Sequence, residues 1–429
     1  MVIHVVNAGE TTTSIAQLYG VSAARLIQDN GIDVSGDLVP GEAIVILNPV
    51  QTYIVKEGDT LSEIANENGI TMNQLLRNNP YLADRGYIYP GEELVISYGN
   101  KTSKIEVNGY ANSFIEENVL QRTLPFLTYL SVFGNRNSYG GEVITVEDTE
   151  TITFAKDYNV IPIMMLSTMS SQGRGSLEIS YSIVNDEKVL ENNIGNIIEI
   201  LQRKGYYGVN ITFQFINSEN SRSYERFINR IVERLKQEGF LVFITISENF
   251  IIEVDRVTFE KIDFLNMGKI VDGVTVLNYN WGSSYGPPGP VASVFLMEKF
   301  IDYINTMIPS EKMEIGIPII GYDWELPYII GVTKANSLTL NSVIALARET
   351  NSVILFDEVS QNPYFRYMDN RSGVPISHIV WFVDARSINA ILNIVTEKGF
   401  RGVGIWNIMN YYAPLWSTVN SQYNIATLI

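Results

Sequence analysis

Hydrophobic and polar positions fall into two textures along this chain, divided by the polar hinge Gly99-Asn100-Lys101-Thr102. After the hinge, apolar β-branched runs recur with amphipathic stretches between them. The runs predict strands at Ile105–Tyr110, Phe126–Phe133, Val160–Leu166, Gly208–Phe215, Phe240–Ile246, Gly273–Tyr279, Glu314–Ile320 and Gly402–Trp406. Helical spacing between them is clearest in Ile194–Arg203, Ser223–Glu238, Val294–Met307 and Leu340–Thr350. Buried-type strands alternating with helices in this way predict an α/β fold, the (β/α)8 TIM barrel, over residues 103–429. Short runs at Val353–Glu358, Tyr364–Tyr367 and His378–Val383 predict antiparallel strands. They predict a small α+β insertion of about residues 322–384, between strands seven and eight.

Before the hinge the chain repeats itself. Residues 4–48 align with 53–97. Val5-Val6-Asn7-Ala8-Gly9-Glu10-Thr11 matches Ile54-Val55-Lys56-Glu57-Gly58-Asp59-Thr60, Leu26 matches Leu75, and Asn30 matches Asn79. After a one-residue insertion, Val39-Pro40-Gly41-Glu42 matches Tyr89-Pro90-Gly91-Glu92. Each copy reads as strand, Gly turn, two helices, Pro-Gly turn, strand, which predicts two βααβ modules at 1–50 and 51–98. This resembles the LysM domain, whose Gly-Asp-Thr-Leu turn and later Asn-Pro loop border a shallow groove for N-acetylglucosamine polymers. The resemblance points to Gly58, Asp59, Thr60 and Asn79 in the second copy. The first departs from the pattern, with Gly9-Glu10-Thr11-Thr12 and Asn30-Gly31, so the second is expected to bind sugar more strongly. For Gly58 and Gly91 a purely structural role in the turns is the competing reading.

Composition narrows the chemistry. Of 429 residues 46% are hydrophobic, enough for a sizeable core, and the net charge is −17. No basic stripe offsets that charge, which argues against nucleic acid and against anionic lipid. The first 100 residues carry 4 basic and 12 acidic side chains, so a groove there suits a neutral sugar. No apolar run reaches the roughly 18 residues of a membrane span. The opening Met-Val-Ile-His-Val-Val has no cationic segment or cleavage site, so no signal peptide is expected. With no cysteine, a disulfide, a thiolate metal site and a thiol nucleophile are excluded, and two histidines, His4 and His378, all but exclude histidine-dependent hydrolysis and histidine-rich metal centres. No cofactor and no metal is expected.

Barrel enzymes carry their chemistry where strands end. Strand four ends Tyr207-Gly208-Val209-Asn210-Ile211-Thr212-Phe213-Gln214; strand six ends Leu277-Asn278-Tyr279-Asn280-Trp281; strand seven runs on to Gly321-Tyr322-Asp323-Trp324; strand eight ends at Trp406. Together with Pro363-Tyr364-Phe365, Val380-Trp381-Phe382 and Asp384-Ala385-Arg386-Ser387, these resemble glycoside hydrolase family 18, the chitinase-like barrels. Within that family they are similar to spore-cortex N-acetylglucosaminidases, which carry two LysM domains ahead of the barrel. The resemblance implies that strand four should end in an acid pattern. Its last Glu protonates the glycosidic oxygen, and the Asp two residues earlier orients the substrate's acetamido group. Those positions hold Gln214 and Thr212, preceded by Asn210 and Tyr207, and Asn280 stands where the subgroup has Glu. An amide has no proton to donate, and a threonine has no charge to steady an oxazolinium ion. Loss of hydrolysis is therefore the expectation.

The rest of the cleft keeps binding chemistry. The resemblance makes Tyr279 the acetamido-contacting tyrosine. Asn210, Thr212, Gln214, Asn278 and Asn280 offer hydrogen bonds to hydroxyls and amides. Trp406, Trp281 and Trp324 offer flat faces for pyranose rings, with Tyr322 and Asp323 beside them. Three readings follow. The first is a wall- or spore-associated protein that binds peptidoglycan or chito-oligosaccharide without cleaving it. The second is an active spore-cortex N-acetylglucosaminidase with a relocated acid, Glu219 or Asp323. The third is a self-assembling brick of a spore coat or appendage, which makes a homo-oligomer or spore-layer assembly its partner. Spore cortex, coat or cell wall is the expected location.

Overall fold

The computed structural model describes residues 1–33, 37–99, 101, 103–168, 176–212, 215–247, 250–252, 257–277, 286–370 and 373–429. Eight parallel strands close into a barrel: β1 (Ser103–Asn112), β2 (Tyr129–Asn137), β3 (Ile161–Ser167), β4 (Gly208–Thr212), β5 (Leu241–Ile246), β6 (Gly273–Val276), β7 (Met313–Pro318) and β8 (Gly402–Trp406). Each pairs with the next, and β8 closes on β1 with Trp406 opposite Tyr110. Each of the eight predicted strands is present.

Strand alternation sorts the residues. On β1, Ile105, Val107 and Ala111 face outward into the main apolar core beneath the helices. The helix Ser221–Gln237 returns the matching stripe, burying Tyr224, Phe227, Ile228, Ile231, Val232 and Leu235 at three- and four-residue spacing. The inward residues are another matter. Tyr129, Ile161, Ile163 and Phe243 form an apolar floor. Above it lies a polar layer: Glu314 accepts from Thr275 Oγ1 at 2.8 Å and from Asn108 Nδ2 at 3.3 Å, and Ser131 Oγ donates to Asn108 at 2.9 Å. Glycine makes room for it. A Cβ at Gly404 would lie 2.6 Å from Thr275 Cγ2 and 3.2 Å from Tyr110 Cε2.

Between β7 and β8 a five-stranded antiparallel sheet runs in the order 336–338, 321–326, 376–381, 362–369, 355–357. The helix Leu340–Glu349 completes this insertion. Two of its strands, Gly321–Leu326 and Asn336–Leu338, were not expected from the sequence. In sequence the first runs straight on from strand seven, with only Gly321 between Ile320 and Tyr322. A last short strand, Tyr423–Ile425, pairs with the start of β1.

The two N-terminal repeats have the expected βααβ order, each with one antiparallel strand pair. Their repeated residues perform the same internal tasks. Asn30 Nδ2 donates to Leu26 O and Val45 O and its Oδ1 accepts from Val45 N; Asn79 does the same with Leu75 and Val95. Thr11 and Thr60 are N-caps in reciprocal capping boxes. Both repeats rest on the barrel. In the first, Pro40 O accepts from Ile354 N at 2.9 Å, Ser417 Oγ donates to Asp29 O at 2.6 Å, and Arg348 pairs with Asp33 at 3.1 Å. In the second, Asn73 Nδ2 donates to Tyr158 O at 2.6 Å and Asn78 Oδ1 accepts from Asn420 at 2.9 Å.

Docking buries Glu42 of the first repeat in a polar cavity of about 100 Å³ shared with Arg348 and Asp384. Burial pushes its carboxyl from the ordinary 4.5 up to about 7, against the Val39 N–H bond that favours the charge. A raised carboxyl favours the folded state below the unfolded pKa, and that advantage is lost as pH climbs through the folded one. The difference is on the order of 3 kcal/mol between pH 4.5 and pH 7. Glu42→Gln should therefore raise Tm at pH 8 and leave it nearly unchanged at pH 4.5. A Tm difference independent of pH in thermal melts would contradict this origin.

Candidate active site

The site is built upward from the polar barrel interior. Asn210 of β4 is fully buried. Its Nδ2 donates to Tyr110 Oη at 3.0 Å and its Oδ1 accepts from Thr245 Oγ1 at 2.8 Å. Both ends of the amide are thus engaged inside the barrel, so Asn210 supports the site from below and does not offer its amide to a ligand. Burial raises the Tyr110 phenol above its ordinary range, with the Glu314 charge adding to the effect, so it stays neutral.

Thr212, two residues on, lies on the same side of β4 by alternation and is half-buried. Its Oγ1 is buried with no hydrogen-bond partner among the described residues. Trp406 ends β8, half-buried, with the Phe133 ring stacked on it at 5.1 Å and Tyr110 at 5.4 Å. One face of the indole is therefore taken by Phe133, a residue the sequence reading missed. Phe133 is recognisable only as the inward residue two positions beyond Ser131. Gln214, Asn278, Tyr279, Asn280 and Trp281 lie outside the described residues.

The insertion stands at the same mouth. Ile319 N donates to Trp406 O at 2.9 Å, and Gly321–Leu326 begins two residues later. Tyr322, Trp381 and Tyr364 pair across three strands, with the Trp381 and Tyr364 rings stacked at 4.5 Å. All three are half-buried, and burial raises the Tyr322 phenol. Trp324 differs from the expectation: it is fully buried and its Nε1 donates to Gly286 O at 2.9 Å, so its faces are closed to sugar. Asp323 points to the opposite face of the sheet. It is buried, accepts from Tyr367 Oη at 2.7 Å and lies 3.0 Å from His378 Nδ1. Those two neighbours occupy the carboxylate and explain both His378 and Asp323 as parts of the insertion's packing.

The two other carboxyls that bear on the site are placed differently. Glu219 is exposed in the turn that opens the helix Ser221–Gln237, its own N–H donating to Asn217. Glu314 is fully buried beneath the Tyr110–Asn210–Thr245 layer, and burial holds its carboxyl above the ordinary range although the Arg401 charge opposes this. Among the described residues no group of three His, Asp or Glu side chains could hold a metal, and no helix is long and apolar enough to cross a membrane.

In the repeats, Asp59 caps its turn, accepting from Lys56 N at 2.8 Å and Tyr53 Oη at 2.9 Å, and the exposed Gly58 takes φ +91°. Thr60 is engaged with Glu63, and Asn79 is fully buried in the tie described above. The three side chains, with the positive φ of Gly58, hold the turn and the second helix in place; what the turn offers outward is backbone.

Comparison with known proteins fits this geometry. The family model described as "Glycosyl hydrolases family 18" matches residues 127–410, two thirds of the chain. The chain belongs to this family. The LysM domain model matches residues 4–47 and 53–97. The cortical fragment-lytic enzyme of Bacillus subtilis is 30% identical, covering 88% of this family 18 chain and 99% of its own length. Two solved structures align end to end. The Bacillus cereus spore cortex-lytic enzyme SleL does so at 27% identity and TM-score 0.80, covering 99% of each chain. Its Bacillus megaterium counterpart gives 25% and 0.81, covering 100% of this chain and 99% of its own. A family 18 barrel behind two LysM domains implies binding of peptidoglycan or chitin-like glycans.

Proposed function

We propose that this family 18 protein holds N-acetylglucosamine-containing peptidoglycan of the spore cortex, coat or cell wall without cleaving it. One observation carries the proposal. In sequence, the positions where the family carries its proton donor and its counter-charge hold Gln214 and Thr212, and the amide of Asn210 before them is consumed inside the barrel. Binding chemistry persists at the barrel mouth in the Thr212 hydroxyl, which has no partner among the described residues, the half-buried Trp406 and the Tyr322–Trp381–Tyr364 row.

The relatives' printed names, cortical fragment-lytic and spore cortex-lytic enzyme, favour a second reading in which hydrolysis survives on a relocated acid. Placement speaks against the two candidates. Asp323 is wrapped by Tyr367 and His378, and Glu219 is exposed at a helix start.

Calorimetric titration of the full chain with chitohexaose, followed by mass spectrometry of the recovered sugar, tests the proposal. Saturable binding with intact hexaose is the expected result; absent binding, or shortened oligomers, would overturn it. A fluorescent fusion should decorate the developing spore. One that filled the vegetative cell and avoided the forespore would remove the proposed location.

A further inference from the structure

The end of the insertion sheet remote from Trp406 carries aliphatic side chains into solvent. Strand register fixes which segments meet there. Leu326, Ser377 and Met368 lie side by side on three neighbouring strands. The loop after Leu326 and the connection from Asp369 to Ile376 therefore leave the sheet at the same end. On the loop, Ile329 is 53%, Ile330 86% and Val332 74% exposed; beside it, Met368 is 51% and Val374 65% exposed. The loop holds its own shape. Ile329 N donates to Thr333 Oγ1 at 2.9 Å, and Ile329 O accepts from Val332 N and Thr333 N at 3.0 and 2.9 Å. Gly331 takes φ +75°, and nothing among the described residues lies within 4 Å of a Cβ there. Turn positions are ordinarily polar or glycine and proline. Here five aliphatic residues expose on the order of 600 Å², as much as the largest apolar patch on a typical monomer.

We infer that this tip is a self-association surface, covered by the same tip of a second copy of this chain about a two-fold axis. Area is the first argument. Two patches of roughly 600 Å² bury about 1,200 Å² together, the lower bound of a specific protein interface. An apolar patch is also complementary to itself, which is what a two-fold contact requires. Charge is the second argument. The chain carries −17, so two copies repel over most of their surface. At the tip the ionisable neighbours among the described residues are of both signs, Lys334 with Glu325 and Asp369, and pairing there escapes most of that repulsion. Order is the third. The loop's internal bonds fix Ile330 and Val332 before association, so little conformational freedom is lost when they are covered. Pairing itself requires no sugar. Where the barrel holds glycan, as proposed above, a dimer gives the polymer two points of attachment.

Sedimentation velocity of the full chain without sugar, from about 2 to 300 μM, reads the pairing. A monomer–dimer equilibrium with a dissociation constant on the order of tens of micromolar is expected. A species that stays monomeric across the series would overturn the inference. Ile330→Asp should weaken dimerisation at least about tenfold, because it buries a carboxylate beside its own copy. Its melting temperature should match the wild type, since Ile330 is exposed in the monomer. Dimerisation of that variant at wild-type strength would place the interface elsewhere and remove the assignment. Mixing Ile330→Asp with Ile330→Lys should restore the dimer, because a two-fold contact sets the opposite charges together. A mixture no stronger than either variant alone would contradict tip-to-tip pairing. Flotation with phosphatidylcholine vesicles covers the other occupant: protein that floats with the vesicles but never dimerises would give the tip to a lipid surface instead.

Discussion

The double variant Thr212→Asp, Gln214→Glu should release reducing ends from N-acetylglucosamine oligomers, and either single variant should release far fewer. Gln214→Glu alone restores a proton donor, and general acid catalysis is worth roughly 10²–10⁴-fold. The acetamido oxygen would still lack the carboxylate that orients it and steadies the oxazolinium charge. Thr212→Asp alone supplies that charge to a substrate whose leaving oxygen cannot be protonated. Groups acting as a unit are strongly non-additive, so the pair should exceed the product of the singles by at least about tenfold. Thr212 already stands at the mouth end of β4, directly opposite Thr245, with a buried Oγ1 that has no partner among the described residues, so a carboxylate there needs no new backbone position. The family resemblance implies Glu at the position of Asn280, so the recovered rate should stay below that of a member with the full acid set. A rate profile in which the singles multiply to the double would show that the two positions do not form one catalytic unit.

Arg401→Met should be the most destabilising single change among those considered, at about 3 kcal/mol or more. Arg401 plugs the floor of the barrel. Its Nε is bonded to Glu106, its Nη1 donates to Asp272 O at 2.6 Å, and the guanidinium lies 5.3 Å from both the Tyr129 and the Phe243 rings. It is also the cation nearest in effect to the buried Glu314. Methionine fills similar volume but leaves Glu106 mostly buried and uncompensated, and removing one partner of a buried pair costs about 3–5 kcal/mol. Adding Glu106→Gln should recover part of the loss, because the charge left behind, more than the missing bond, is the source of the damage. Denaturant midpoints of the two variants check this. A loss below about 1 kcal/mol would mean that the floor is hydrated enough to leave Glu106 at ease.

How much of this was legible in the chain follows from which forces are local. Strand and helix periods are local, so β1–β8 and the amphipathic helices could be read from Ile105, Val107 and Ala111 or from the stripe Tyr224–Leu235. The repeat was legible because its shared residues, Asn30 and Asn79 or Glu42 and Glu92, each bond within their own module. Burial is not local. Whether Trp324 or Asp323 faces a cleft depends on Gly286, Tyr367 and His378, which come from other segments. The polar barrel interior was missed for the same reason. Asn108, Glu314 and Thr275 sit far apart in sequence among apolar neighbours, and only closure of the ring brings them together. Nothing in Val39-Pro40-Gly41 marks it as the turn whose Pro40 carbonyl accepts from Ile354.

Prolonged incubation of the wild-type protein with spore-cortex peptidoglycan fragments, read by reducing-end release, tests the loss of hydrolysis most directly. Fragments should be retained on the protein with release no greater than the buffer control. Release above that control, abolished by Glu219→Gln or Asp323→Asn, would contradict it and place the acid on the residue whose change silenced the activity.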